Sequence, residues 1–274
     1  MQKAKNTLGG FLAKWLNKEF GKPKFPLCDF EKVRHEIKQC DVLLIEGTTR
    51  ISKQIRTLTE SPWSHAALYI GRLHDIEDHT MREIVSKHFN GDRQTQLVLE
   101  SNLGEGTVLS PIERYQGDHI RICRPKGLQH NDAQLMLHYC IKALGKPYDI
   151  RHIFDLLRLL LPWKLLPRHW GSSIFKIKKN SPNEICSSLI AKAFESVSFP
   201  ILPIVQLADG DKVTMHHRNP NLFIPKDFDY SPYFQIIKYP MFCVDQHPSY
   251  RKLPWTDEKI VVNDDGKETK TEKK

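Results

Sequence analysis

The stretch NEICSSLIAKAFESVS, Asn183 to Ser198, constrains the fold more than any other part of the chain. Ile185, Leu189, Ile190, Ala193, Phe194 and Val197 recur at helical spacing, while Lys192 and Glu195 fall on the other face. That pattern reads as an amphipathic helix with one side to bury. Ser181 or Asn183 suits its cap, and Pro182 and Glu184 suit its first turn. Cys186 therefore sits in the first turn, where unpaired backbone N–H groups and the positive end of the helix dipole stabilise a thiolate. Cys186 also shares the stripe of Leu189 and Ile190, so an inert buried thiol is the competing reading.

The rest of the composition narrows the context of that thiol. Lys and Arg number 41 against 32 Asp and Glu, a net charge of +9. The excess favours anionic partners such as lipid headgroups or cell-wall polymers. No arginine-rich helix, zinc-finger spacing or aromatic motif accompanies it, so nucleic acid is not expected as a partner. Cys28, Cys40, Cys123, Cys140, Cys186 and Cys243 are dispersed, without a C-x-x-C pair. In a chain of 274 residues they read as reduced, mostly buried thiols of a cytoplasmic protein. No secretory signal and no membrane-spanning run is visible.

Residues 1–26 read as a basic amphipathic helix and a linker. Leu8, Phe11, Leu12, Trp15, Leu16 and Phe20 share a face, which suits an anionic membrane surface or docking on the globular domain. Residues 27–240 read as the main domain. Within it Asp41–Glu46 is a buried-strand pattern, Ser52–Thr59 a helix, and His65–Gly71 a second strand with His65 at its first position beside Trp63 and Ser64. Residues 72–95, rich in His, Asp and Glu, match no metal-ligand spacing and read as a solvated polar insertion; no metal or cofactor is expected. Leu97–Glu100 is a third strand, closed by a carboxylate that lies either at a sheet edge or in a cleft. Further strands are expected near Val108 and at His119–Cys123, a helix at Asn131–Leu144 capped by Asn131, and a last strand at Phe234–Tyr239. Short strands in succession argue for an antiparallel sheet in an α+β fold. The Leu/Trp/Lys segment 153–170, inside an apolar stretch 150–180, suits either a membrane interface or a helix packed over the sheet. Beyond Pro200 the pattern is irregular. Residues 241–274 form a C-terminal extension whose charged end, Asn263–Lys274, is expected to be disordered.

The run DVLLIEGTTRISKQIRTLTESPWSHAALYIG resembles the opening motif of the circularly permuted papain-like amidases, the YiiX-like branch of the NlpC superfamily. VLESNLGEGTVLSPIERY resembles that family's second block, and LGKPYD, EICSSLIAKAF and IPKDFDYSPYFQII resemble later ones. Together they cover most of Cys40–Lys238. The histidine precedes the cysteine helix, as the permuted branch has it. The resemblance implies a permuted papain-like fold with Cys186 as nucleophile, His65 as general base and acid, and Glu100 as the group that orients the imidazole. Trp63, Ser64 and Tyr148 are the implied substrate contacts. Cys40 stands where the family usually has glycine.

Two classes of function remain open at this level. One is a cysteine hydrolase of amide or ester bonds, an amidase, peptidase, lipid esterase or acyltransferase working through a thioester, with lipid-linked substrates favoured by residues 1–20 and 153–170. The other is a catalytically idle lipid- or peptide-binding module on the same scaffold.

Overall fold

The computed structural model describes Lys18 and residues 27–102, 104–146, 186–208, 212–241, 261–262 and 268–269. Two compact units are present, Met1–Tyr239 and Pro240–Lys274. The expected N-terminal helix apart from Lys18, the segment 153–170 and Tyr148 lie outside the described residues.

The larger unit is built on a six-stranded antiparallel sheet. Its strands are β1 (Val42–Glu46), β2 (His65–Gly71), β3 (Leu97–Asn102), β4 (Gly106–Pro111), β5 (His119–Pro125) and β8 (Phe234–Ile237), in the order β4-β3-β2-β1-β5-β8. Strand β1 lies near the middle, and Val42 to Ile45 are all buried. Both faces of the sheet are covered, which is why this strand is a continuous apolar run rather than an alternating one. Val42, Leu44, Ala66 and Leu68 enter one core. Leu43, Ile45, Ala67 and Tyr69 enter a second core with Val33 and Ile37 of the N-terminal part of the domain, where helix α1 (Phe30–Glu36) lies.

The first core is closed by helices. Helix α5 (Cys186–Ser196) packs on β2 and β3 and against α4 (His130–Ile141). Leu189, Ile190, Ala193 and Phe194 are all at or near zero exposure, as the helical periodicity of the sequence requires. Phe194 meets the rings of Phe199, Phe228 and Phe234 at 5.1, 6.4 and 5.2 Å between centroids. Tilted and edge-on contacts of this kind add to the burial of each ring.

Several local expectations need correction. The first α-helix after β1, α2 (Arg50–Thr59), starts before Ser52 because the Thr49 hydroxyl accepts from the Ser52 N–H. Helix α4 has Gln129 rather than Asn131 at its cap. Residues 72–95 are not a wholly solvated insertion: they contain α3 (His79–His88), capped by Asp78 and anchored by buried Met81 and Val85. Met81, Ile84, Val85 and His88 carry an i, i+3, i+4, i+7 pattern beneath the charges. The region past Pro200 is also ordered. Strands β6 (Ile204–Ala208) and β7 (Lys212–His216) form a hairpin, and α6 (Pro225–Tyr230) precedes β8. In the smaller unit, β9 (Val261–Val262) pairs antiparallel with β10 (Glu268–Thr269).

Phe194 holds the aromatic cluster on which the cysteine helix is seated. Phe194→Ala is expected to cost about 3–5 kcal/mol, read as a lower midpoint in urea unfolding of the full chain. A loss below about 1 kcal/mol contradicts a tightly packed cluster.

Candidate active site

Three elements deliver the site. Strand β2 begins at His65, β3 carries Glu100, and the described part of α5 begins at Cys186. Leu68 pairs with Leu99 across β2 and β3. Continuing that ladder one step places Glu100 beside Ala67, within diagonal reach of His65. The turn before His65 is fixed by Ser64, whose N–H donates to the Ile45 carbonyl at 3.1 Å while its hydroxyl accepts from the Gly47 N–H at 2.9 Å. Gly47 has no room for a side chain: a Cβ there would lie 2.4 Å from Ser52 Oγ. The start of α5 is held by the Ser187 hydroxyl, which donates to the Phe223 carbonyl at 2.7 Å.

The imidazole of His65 lies between a sulfur and a carboxylate. Its Nε2 donates to Glu100 Oε2 at 2.7 Å. The ring also hydrogen-bonds Cys186, and with Nε2 committed to Glu100 this bond belongs to Nδ1. The Cys186 sulfur further accepts from the backbone N–H groups of Ala66 and Ser187. Glu100 is fully buried, with no exposed side-chain surface, while the His65 side chain keeps 19%.

Electrostatics follow from that arrangement. Burial opposes charge on all three groups, and mutual contact overrides it. The negative sulfur of Cys186, its hydrogen bond and then Glu100 raise His65 from 6.5 to about 10 against the burial penalty. Burial works to raise the Cys186 thiol, but the His65 charge and hydrogen bond, helped by the Ala66 and Ser187 N–H groups, bring it below its ordinary value. Glu100, also penalised by burial, is held at about 2 by His65, Ser110 and Tyr115. Other buried thiols show the contrast. Burial pushes Cys40 up to about 12 and raises Cys28 and Cys123 as well. Cys186 moves the other way because it has a cation beside it. Chemically, the arrangement is a thiolate–imidazolium pair with an anion behind the ring.

The structure brings Cys186, His65 and Glu100 together. It does not present Trp63 or Ser64 to a ligand, and this corrects the expectation that they touch substrate. Trp63 is 1% exposed, donates from Nε1 to Asp229 at 3.1 Å, and lies under the Arg121 guanidinium. Ser64 is buried and spends its hydroxyl on the turn. Residues that sequence reasoning passed over surround Glu100. The Tyr115 hydroxyl donates to Oε2, and Ser110 Oγ and Asn102 Nδ2 donate to Oε1. For Ser110 a signal existed: it lies on β4 diagonal to Glu100, because Glu100 pairs with Val108.

These shifts set a pH window for stability. Glu100 lies at about 2 against an ordinary 4.5, so its contribution is present above 4.5 and lost as pH falls toward 2. His65 lies at about 10 against 6.5, so its contribution is complete below 6.5 and lost as pH rises through 10. The gap in thermal unfolding midpoint between wild type and Glu100→Gln is therefore expected to be widest between pH 4.5 and 6.5 and to narrow on both sides. A gap that stays constant from acid to alkali contradicts a charged pair.

A family model described as the permuted papain-like amidase enzyme, YaeF/YiiX, C92 family, matches residues 36–157. The match takes in β1, His65, Glu100 and Tyr115 and stops before Cys186. Among solved structures, the metalloprotein yiiX from Escherichia coli O157:H7 is similar at 13% identity and a TM-score of 0.43, over 74% of this chain and 97% of that chain. No curated protein matches the sequence. Residues 36–157 are thus similar to the permuted papain-like amidases, and in the described structure the histidine strand precedes the cysteine helix in an antiparallel α+β fold.

Proposed function

We propose that Cys186 is the nucleophile of an amide- or ester-cleaving reaction, with His65 as general acid and base and Glu100 as the orienting anion. The observation that carries this reading is the hydrogen-bonded line from Cys186 through His65 to buried Glu100. The sulfur attacks the carbonyl carbon, the C–O π pair moves to oxygen, and the Cys186 N–H at the helix start donates to that oxyanion. His65 passes its proton to the leaving nitrogen or oxygen as the scissile bond breaks, leaving a thioester on Cys186. Neutral His65 then takes a proton from water, whose oxygen attacks the thioester and restores the thiolate and the imidazolium. The family match supports an amide-containing substrate.

Within this reading the acyl group is lipid-linked. The support is in the sequence: the apolar and basic faces of residues 1–20, the Leu/Trp/Lys segment 153–170 and a net charge of +9. Among the described residues no helix is long and apolar enough to cross a membrane. The protein on this account works on the cytoplasmic side as a peripheral enzyme at an anionic surface.

Incubation with p-nitrophenyl butyrate is expected to add one butyryl group to Cys186, seen by peptide mass spectrometry. Cys186→Ala is expected to lower turnover at least about a thousandfold. Turnover undiminished in Cys186→Ala would sink the assignment, and a wild type with neither turnover nor an adduct on Cys186 favours an idle scaffold. For the lipid preference, the full chain is expected to co-sediment with phosphatidylglycerol vesicles, and a deletion of residues 1–20 to lose most of that binding. Equal recovery with neutral phosphatidylcholine vesicles argues against an anionic membrane partner.

A further inference from the structure

We propose that Tyr115 is a positioning residue for this reaction, holding the His65 imidazole in line through the Oε2 oxygen of Glu100. The proposal rests on the reading of Cys186 and His65 as the reacting pair. One carboxylate oxygen, Oε2, takes both the His65 ring N–H and the Tyr115 hydroxyl. The other, Oε1, takes Ser110 and Asn102, with Arg114 Nη1 at 3.6 Å. A carboxylate bonded on both oxygens cannot swing about its terminal bond, and the ring that leans on it inherits that fixity.

Tyr115 is built to serve as a fixed donor. It ends the 3₁₀ turn Ile112–Tyr115 that follows β4. The Ile112 N–H donates to the Gln96 carbonyl at 2.9 Å, which ties the turn back to the sheet. The Tyr115 ring is 7% exposed, packs in the second core, and lies 6.3 Å from the His65 ring. Burial and the neighbouring Glu100 charge raise its phenol, so it remains a proton donor across the working range. The titratable groups facing the imidazole among the described residues are Cys186 from α5, Glu100 from β3 and Tyr115, with the Arg114 cation behind Glu100.

The phenol also sets how firmly the ring holds its proton. A donor on Oε2 draws charge from the same oxygen that faces the imidazolium. Without it, Oε2 serves His65 alone, the imidazolium is held more tightly, and the thiolate beside it forms at lower pH. The same tighter hold makes His65 a poorer acid toward the leaving group, so turnover suffers while thiolate formation improves.

The test is the rate of Cys186 alkylation by iodoacetamide as a function of pH, on the full chain. Tyr115→Phe is expected to move the acid limb down by about half a pH unit and to lower kcat on p-nitrophenyl butyrate about tenfold with KM unchanged. Tyr115→3-fluorotyrosine, which keeps the shape and strengthens the donor, is expected to move the acid limb up; it decides the matter if the phenylalanine variant fails to fold. Glu100→Gln is expected to move it up as well. An acid limb that is unmoved in Tyr115→Phe, or moved upward, or unmoved in the fluorotyrosine variant, overturns the proposal while Glu100→Gln still reports on the underlying pair. A wild-type Cys186 that alkylates no faster than Cys140 at neutral pH overturns the underlying pair itself, and the proposal with it.

Discussion

A charged sulfur in a nearly closed site depends on one contact, the hydrogen bond between Cys186 and His65. Cys186 is only 8% exposed. Burial alone would make it as inert as Cys40 or Cys123, whose thiols are driven up by the same cause. The imidazolium reverses the sign. It exists in turn because the sulfur beside it and Glu100 behind it are both negative, and Glu100 stays ionised because His65, Ser110 and Tyr115 all donate to it. Charge is thereby passed inward from a solvent-reaching ring to a carboxylate with no exposed surface. Each step offsets a desolvation cost that no single pair would overcome.

The parts of this arrangement that could be read from the sequence were those governed by periodicity. The buried runs at Val42–Glu46 and His65–Gly71 and the amphipathic stripe of Leu189, Ile190, Ala193 and Phe194 became the strands and the helix they suggested. Glu100 closes an apolar strand, which left its carboxylate either at a sheet edge or in a cleft; the structure buries it completely. What escaped was set by neighbours distant in sequence. In α3 the abundance of His, Asp and Glu masked Met81 and Val85, two buried side chains that suffice to seat a short helix. Among the described residues the β6–β7 hairpin pairs only with itself, and Val205, Val213 and Met215 remain more than half exposed, so no inward-facing pattern marked it.

Adjacency in sequence was also a poor guide to adjacency at the site. Trp63 and Ser64 precede His65, yet a turn sends one into the first core against Asp229 and Arg121 and uses the other as a turn bond. Tyr115 lies fifty residues from His65 and shares an acceptor with it. Cys40 illustrates the converse, a local oddity with a local cause. It occupies a position with φ of 66°, in the left-handed region where glycine is the residue without a Cβ penalty. Its buried side chain contributes to the first core, which offsets part of that cost.

A chain order with the histidine strand ahead of the cysteine helix leaves this site dependent on the sheet more than on the helix. His65 and Glu100 sit on neighbouring strands, and their relative position is fixed by the β2–β3 register and by the β4 residues that clamp the carboxylate. All of those groups fall within residues 36–157, ahead of the cysteine helix. The histidine–carboxylate half is therefore assembled by antiparallel pairing of consecutive strands, β2 with β3 and β3 with β4. Helix α5 adds the sulfur, and its seat on β2 and β3 through Leu189, Ile190 and Phe194 determines whether that sulfur reaches the ring. Catalytic geometry of this kind is indifferent to which part comes first along the chain. It requires that the strand register and the helix seat agree at one point, the space between Nδ1 of His65 and Sγ of Cys186.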